Sequence, residues 1–350
     1  SCGAARDGSP LVVGNGGSEW YAASAIPALL DYTRRVYFLE NGEYAFLLPT
    51  GDGWFANFRT EKRIVKKPTA ISWTKESASK SGHAHFMLKE ILDQRETLSA
   101  TLAISAKEIE RATRLLLGAS RVCMTACGTA GHMCMAAEYF FAKKTGQLTP
   151  FSAASEFHKL APFVDKRTVL IVVTQSGETA DVLEAIAKAK ARGAKIVSVV
   201  NARNSSVERE SDVVLPTNVG IEKAVASTKA ATSQFALLSL LASALCGEET
   251  AARRRLASAA REIRAWLSPE LLAKIRTVAR RLARAEHLYV IGKSLCAPIA
   301  FEAALKIKEV SYVHAEGLVA GELKHGTIAL IEKGTPCIVL AAEDEFLGDV

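Results

Sequence analysis

Residues 168–192 constrain the fold more than any other part of this chain. Residues 168–173 read TVLIVV, an unbroken apolar run of strand length, rich in β-branched side chains. A strand apolar on both faces belongs in a parallel sheet covered by helices. The hydroxyl-rich turn TQSGET, residues 174–179, follows at once, and residues 180–192 carry apolar side chains at helical spacing. Strand, tight polar turn and helix in this order present the free N–H groups of a helix start, where the dipole is positive. Ser176 and Thr179 add hydroxyl donors, and Gly177 lets the backbone approach a ligand closely. No P-loop lysine pattern accompanies the turn, so the matching guest is a phosphate monoester on a small molecule rather than a nucleoside triphosphate.

From residue 121 onward strands and helices alternate. Residues 121–125, 196–200 and 213–215 read as strands, 131–144 as a helix, and 228–246 as a long apolar helix. The alternation predicts an α/β fold with a doubly wound parallel sheet, which binds ligands beyond the carboxyl ends of its strands. An arginine-rich helical stretch follows at 251–267 and 269–285, its charges reading as one solvated face. The pattern then restarts with a strand at 288–291, Gly292 and a helix at 297–310. This element order predicts an internal duplication whose second copy is incomplete. Residues 1 to about 80 differ: short β-like runs at 10–13, 36–39, 44–48, 54–58 and 63–65 are separated by Gly-rich turns. Residues 85–102 read as an amphipathic connector that continues in helix over 108–117. The expected division is a β-rich unit at 1–84, a connector at 85–107, a first α/β domain at 108–267 and an incomplete second one at 268–350.

A chain of 350 residues with 49% apolar and 23% charged residues is large enough for two or three domains. No uninterrupted apolar run reaches membrane-spanning length, and no signal peptide opens the sequence, so neither a membrane nor secretion is expected. The chain begins at Ser1 and stops at Val350 just after a strand and turn, and it reads as a piece cut at both ends. A formal net charge of +7 suits an anionic ligand, whereas scattered Lys and Arg form no stripe for nucleic acid. The seven cysteines, Cys2, Cys123, Cys127, Cys134, Cys246, Cys296 and Cys337, lack zinc-ligand spacing with His. They read as free thiols in a reducing cytoplasm, Cys127 and Cys134 as small core residues, and no metal or cofactor is expected.

Four further segments carry candidate chemistry. ACGTAG, residues 126–131, leaves a strand and enters a helix: Thr129 either supports a phosphate site or simply caps the helix. VASTK, residues 225–229, is a second hydroxyl-rich string that either binds a ligand or is a plain N-cap by Ser227 or Thr228 with a surface charge at Lys229. In FEAALKIKE, Glu302, Lys306 and Glu309 stand at i, i+4 and i+7 on one helix face. Such a ladder is ordinarily an exposed set of ion pairs, but the surrounding helix is apolar enough to withdraw these groups from water. The glycine-bracketed loop GELKHG, residues 321–326, carries His325, a residue type that moves protons near neutral pH. Lysine, carboxylates and histidine beside a phosphate-binding fold are the groups that aldose–ketose proton transfer needs. His314 ranks below His325 because its surroundings contain less glycine.

The strings ACGT, TQSGETAD, VASTKA, ALKIKE, HAEG and GELKHG, in this order and at these spacings, resemble the glucosamine-6-phosphate synthase family, the isomerising glutamine–fructose-6-phosphate aminotransferases. SPLVVG at 9–14, TRRVYFLENGE at 33–43 and HFMLKEILDQ at 85–94 resemble the end of that family's glutaminase domain and its connector. The resemblance covers essentially the whole chain. It implies a remnant of an N-terminal-nucleophile glutaminase domain followed by tandem sugar isomerase (SIS) domains of doubly wound parallel-sheet sandwich type. The partners it implies are fructose 6-phosphate, glutamine and a second copy of the chain. Carried over by motif, Thr129, Thr174, Gln175, Ser176 and Thr179 hold the phosphate, and Val225 and Ser227 line the sugar. Glu309 moves the proton between C1 and C2 with Lys306 beside it, Glu302 belongs to the same site, and His325 helps open the ring from the partner subunit.

The chain departs from the family pattern at several positions. Ala130 stands where a serine donates to the phosphate, Thr174 replaces a serine, Lys293 and Ser294 replace Arg-Gly, and Ala25 replaces an aspartate. The nucleophilic cysteine and the lysine tail that forms a Schiff base with the sugar are not in these residues, so the piece by itself is expected not to turn over. Two rival readings are a non-catalytic phosphosugar-binding module and an ammonia-dependent phosphosugar deaminase-isomerase.

Overall fold

The computed structural model describes residues 1–8, 10–24, 26–71 and 80–349. Ala25, one of the departures noted above, and Ser9 lie outside the described residues.

Among the described residues, eight short strands build the N-terminal unit: β1 (Cys2–Ala5), β2 (Leu11–Asn15), β3 (Trp20–Ala23), β4 (Arg35–Leu39), β5 (Glu43–Leu47), β6 (Gly53–Asn57), β7 (Arg63–Ile64) and β8 (Thr69–Ala70). They pair antiparallel into two four-stranded sheets, ordered β1-β5-β6-β7 and β3-β2-β4-β8. Adjacent residues of a strand face opposite ways, and β2 uses both directions. Val13 packs with Leu39, Ala45, Leu47 and Phe55 between the sheets. Val12 packs on the other face with Ile26, Leu29, Leu30 and Val36.

Two helices follow, α1 (Phe86–Leu102) and α2 (Ala106–Leu117), close to the 85–102 and 108–117 read from the sequence. The break lies in the sequence S-A-K-E. The Ser105 hydroxyl accepts from the Glu108 N–H while the Glu108 carboxylate reaches back to the Ser105 N–H, a capping box that starts a new helix.

The central unit runs β9 (Arg121–Ala126), α3 (Gly128–Thr145), β10 (Phe151–Ala153), β11 (Thr168–Thr174), α4 (Ala180–Ala191), β12 (Lys195–Val200), α5 (Ser206–Glu210), β13 (Val213–Pro216) and α6 (Lys229–Leu245). Its five strands form one parallel sheet in the order β10-β9-β11-β12-β13. β11 lies at its centre and is buried throughout. Val169, Ile171 and Val173 point into the core shared with α2, α3 and α6. Leu170 and Val172 point into the opposite core, against Val182, Ala185, Ile186 and Ala189 of α4. Helices on both faces explain why the run is uniformly apolar rather than alternating.

The last part comprises α7 (Glu249–Trp266), α8 (Pro269–Leu282), β14 (His287–Gly292), α9 (Cys296–Ser311), β15 (His314–Val319), α10 (Ala320–Leu323) and β16 (Cys337–Leu340). α7 packs on α1 and α6 through Leu98, Ala236 and Ala260, whereas α8 buries none of its residues. The second parallel sheet has the order β15-β14-β16 and so repeats the order β10-β9-β11 of the first. Its helix α9 packs on α3, which brings the 302–309 face beside the carboxyl end of the first sheet. No helix among the described residues is long and apolar enough to cross a membrane.

Candidate active site

The turn after β11 is held in shape by its own hydroxyls. The Thr174 hydroxyl accepts from the Gly177 N–H at 3.2 Å, and the Ser176 hydroxyl accepts from the Glu178 N–H at 3.2 Å. Gly177 sits at φ 66°, and a Cβ there would lie 2.1 Å from the Ser205 hydroxyl oxygen, so the position requires glycine. Thr179 is the N-cap of α4 by position, yet its side chain makes no capping bond. Capping therefore does not account for the Thr179 hydroxyl, and the positive end of α4 stands beside it.

α3 begins at Gly128 with Cys127 as its N-cap, earlier than the sequence reading placed it. Thr129 is thus not the cap; it lies in the first turn, and its hydroxyl works elsewhere. It donates to the Glu302 carboxylate at 3.0 Å and accepts from the Lys306 ammonium at 2.9 Å. The Glu302 carboxylate also meets His132 Nδ1 at 2.8 Å. Lys306 lies 2.5 Å from Glu309 and 3.5 Å from Glu302. The spacing had left open an exposed ladder of ion pairs. Instead Glu302 is 9% exposed and Lys306 is largely covered, because α9 packs this face on α3.

The loop before α6 is held by two acids. Glu222 accepts from the Ser227 hydroxyl and from the N–H groups of Thr228 and Ala230, at 2.8, 2.8 and 3.3 Å. It therefore caps α6 from a distance, and Thr228 makes no side-chain cap. Glu90 of α1 is buried and accepts from the N–H groups of Lys223 and Ala224 at 2.6 and 3.2 Å. Burial pushes the Glu90 carboxyl above its usual range despite these two donors. Lys229 is no surface charge: it is 2% exposed and pairs with Asp93 at 3.0 Å. Burial disfavours ionised Asp93, but hydrogen bonds from Lys89 and Lys229 outweigh it and hold its carboxyl below the usual range.

These segments close around one cleft of about 250 Å³. The β11 turn contributes Thr174, Gln175, Ser176 and Thr179, and α3 contributes Thr129 and Ala130. Val225 and Ser227 line it from the loop before α6, and Lys306 and Glu309 from α9. Val225 is fully exposed and marks the rim. Ala130, where a serine was expected, brings a methyl group and no donor. Glu302 stands behind the lining, bonded to Thr129. His325 is exposed and is not part of the lining. His314 is not part of it either and meets His287 at 3.1 Å.

Sequence reasoning missed Cys127, His132, Glu90, Glu222 and Gln234. Cys127 lines the cleft while also packing against the core of Leu170, Val172 and Val182, and burial pushes its thiol up. His132 follows Thr129 by one helical turn, a spacing that would have placed both on one face. Gln234 is a polar residue in the apolar stripe of α6 and also lines the cleft. Hydroxyls, helix N–H groups and a lysine around one small cleft suit a small anionic polyol, and Glu309 adds a carboxylate able to move a proton.

A family model for the SIS domain matches residues 115–244 and 281–346. The chain is 38% identical over 350 residues to the glutamine–fructose-6-phosphate aminotransferase (isomerizing) of Thermococcus kodakarensis, covering 96% of this chain and 57% of that protein. It is 40% identical over 355 residues to the protein of the same name from Thermus thermophilus, covering 97% and 58%. The chain thus spans less than two thirds of the length of these curated relatives. The solved C-terminal domain of glucosamine-fructose-6-phosphate aminotransferase from Francisella tularensis aligns with a TM-score of 0.71 at 35% identity, over 77% of this chain and 80% of that one. The family match takes in more than half of the residues, its first stretch holding the β11 turn and its second holding α9, and the chain belongs to the SIS domain family.

Proposed function

We propose that this chain is the sugar-isomerising portion, with adjoining glutaminase residues at 1–84, of an isomerising glutamine–fructose-6-phosphate aminotransferase. Fructose 6-phosphate is the substrate and glutamine the nitrogen donor. Residues 108–267 and 268–350 are tandem SIS domains joined to the β-rich unit by the 85–107 connector. The observation that carries this reading is that one cleft is lined both by the hydroxyl turn 174–179 and by Lys306 and Glu309.

The phosphate docks at the start of α4, where Ser176 and Thr179 stand beside helix N–H groups. C1 and C2 of the sugar then lie along α9. The Glu309 carboxylate takes a proton from C1 and returns it at C2. The Lys306 ammonium, 2.5 Å from Glu309, stabilises the negative charge that develops on the sugar oxygen. Glu302 and Thr129 hold Lys306 in place. Ring opening falls to His325 of a second copy in a homodimer; among the described residues no histidine lines the cleft of a single copy.

The test is Glu309→Gln in the complete protein. Isomerisation is expected to fall by about 10²–10⁴-fold, with fructose 6-phosphate still bound. Isomerisation at the wild-type rate would overturn the assignment of the base.

A further inference from the structure

Gln234 lies in the second turn of α6, on the stripe that otherwise buries Ala230, Leu237, Leu238 and Leu241. It is 1% exposed. Neither its Oε1 nor its Nε2 has a hydrogen-bond partner among the described residues. Buried side-chain polar groups are nearly always hydrogen-bonded, so two orphaned atoms on one side chain call for a partner that the chain does not supply. Other orphaned groups occur, among them the Ser239 and Ser243 hydroxyls of the same helix. Among the described residues with such an atom, Gln234 is the one that lines the cleft.

The chemistry of the carboxamide narrows the partner. It presents two N–H donors and one acceptor oxygen side by side. A phosphate dianion offers acceptors only and would leave Oε1 unpaired, whereas a sugar hydroxyl donates and accepts and so matches both halves. The turn 174–179 and the start of α4 already supply an anion site on another wall of the same cleft. We propose that Gln234 is a substrate-contacting specificity residue that reads one hydroxyl of the phosphosugar chain. The assignment rests on the phosphosugar reading of the cleft. It adds a selection that the phosphate site cannot make, favouring polyol phosphates over phosphomonoesters lacking that hydroxyl.

The test is Gln234→Leu in the complete protein, with calorimetric binding of fructose 6-phosphate, of its monodeoxy analogues and of inorganic phosphate. Fructose 6-phosphate is expected to bind about tenfold more weakly to the variant. Inorganic phosphate should bind both proteins alike. One monodeoxy analogue should bind wild type and variant equally, which names the hydroxyl. Without ligand, the variant's melting temperature should be no lower than wild type's, since the substitution removes two orphaned polar atoms. Unchanged binding of fructose 6-phosphate to the variant would overturn the assignment while leaving the phosphosugar reading in place. Equal weakening for sugar and inorganic phosphate would also overturn it, by revealing a structural role. Failure of the wild type to bind fructose 6-phosphate would overturn the phosphosugar reading and this inference with it. Should Gln234→Leu not fold, Gln234→Met, of similar length and greater flexibility, is measured in the same way and with the same outcomes.

Discussion

Thr129 shows how one hydroxyl joins two helices from distant parts of the chain. It donates to Glu302 and accepts from Lys306, so a neutral group sits between two charged ones where water is scarce. Hydrogen bonds to charged groups contribute more than neutral ones. Thr129→Val keeps the shape and removes both bonds. It should lower the free energy of unfolding by about 1.5–3 kcal/mol, read as a shift in the urea midpoint at constant slope. The loss stays at this size because Lys306 and Glu302 still face each other directly. Isomerisation should fall as well, since Lys306 would lose the bond that fixes its ammonium beside Glu309. None of this was legible from ACGTAG alone. The string announces a strand-to-helix turn, but the partners of Thr129 lie 173 and 177 residues away.

At the scale of elements, α1 reaches from the N-terminal unit to the loop that carries Val225 and Ser227. Two of its acids respond oppositely to pH. Burial raises the Glu90 carboxyl above its ordinary 4.5, so the folded chain holds this proton to higher pH than the unfolded chain does. The stability contributed by that difference is complete below 4.5 and declines as pH rises through the elevated folded value. Urea titrations across that window should show wild type losing stability with rising pH relative to Glu90→Gln, and parallel curves would refute the argument. Asp93 is held below its ordinary 3.8, so its contribution is present above that pH and fades as pH falls below it. At neutral pH, Asp93→Asn would leave the buried Lys229 without a carboxylate. The expected cost is roughly 2–4 kcal/mol, below that of a fully enclosed pair because Asp93 is partly exposed. The sequence disclosed β11, its turn and α4 because burial on both faces writes a continuous apolar run. It disclosed the shared face of α9 because helical spacing is local. It did not disclose the burial of Lys229 or the capping of α6 by Glu222, since each depends on a partner outside the helix. Gln234 was visible in principle, as a polar interruption of an apolar stripe.

Across the whole molecule, the N-terminal sandwich is tied to the 174–179 turn through α5. Arg209 of α5 stacks over Phe38 at 4.7 Å and pairs with Glu40 at 3.3 Å, both of the sandwich. The Ser206 N–H donates to Glu178 and the Val207 N–H to the Gly177 carbonyl, both of the turn. Ile221, just before the loop held by Glu90, packs on the sandwich core of Ile26, Leu29 and Leu30. The two cleft walls formed by the turn 174–179 and by the loop carrying Val225 and Ser227 are thus braced from the same side, and α9 closes the third. Among the described residues no histidine lines the cleft, and His325 stands exposed on the surface. If a second copy supplies it, a two-fold symmetric dimer carries two sites, each built from both chains. Glu309→Gln and His325→Ala should then each be nearly inactive as homodimers. Unfolded together and refolded at equal concentration, half of the dimers are mixed, and each mixed dimer holds one site with both Glu309 and His325 intact. The mixture should recover about a quarter of wild-type activity, because a symmetric dimer exchanges the same surface in both directions. Recovery of none, with mixed dimers verified by mass, would show that His325 serves its own chain, and a fully active His325→Ala homodimer would show that it plays no part in the reaction.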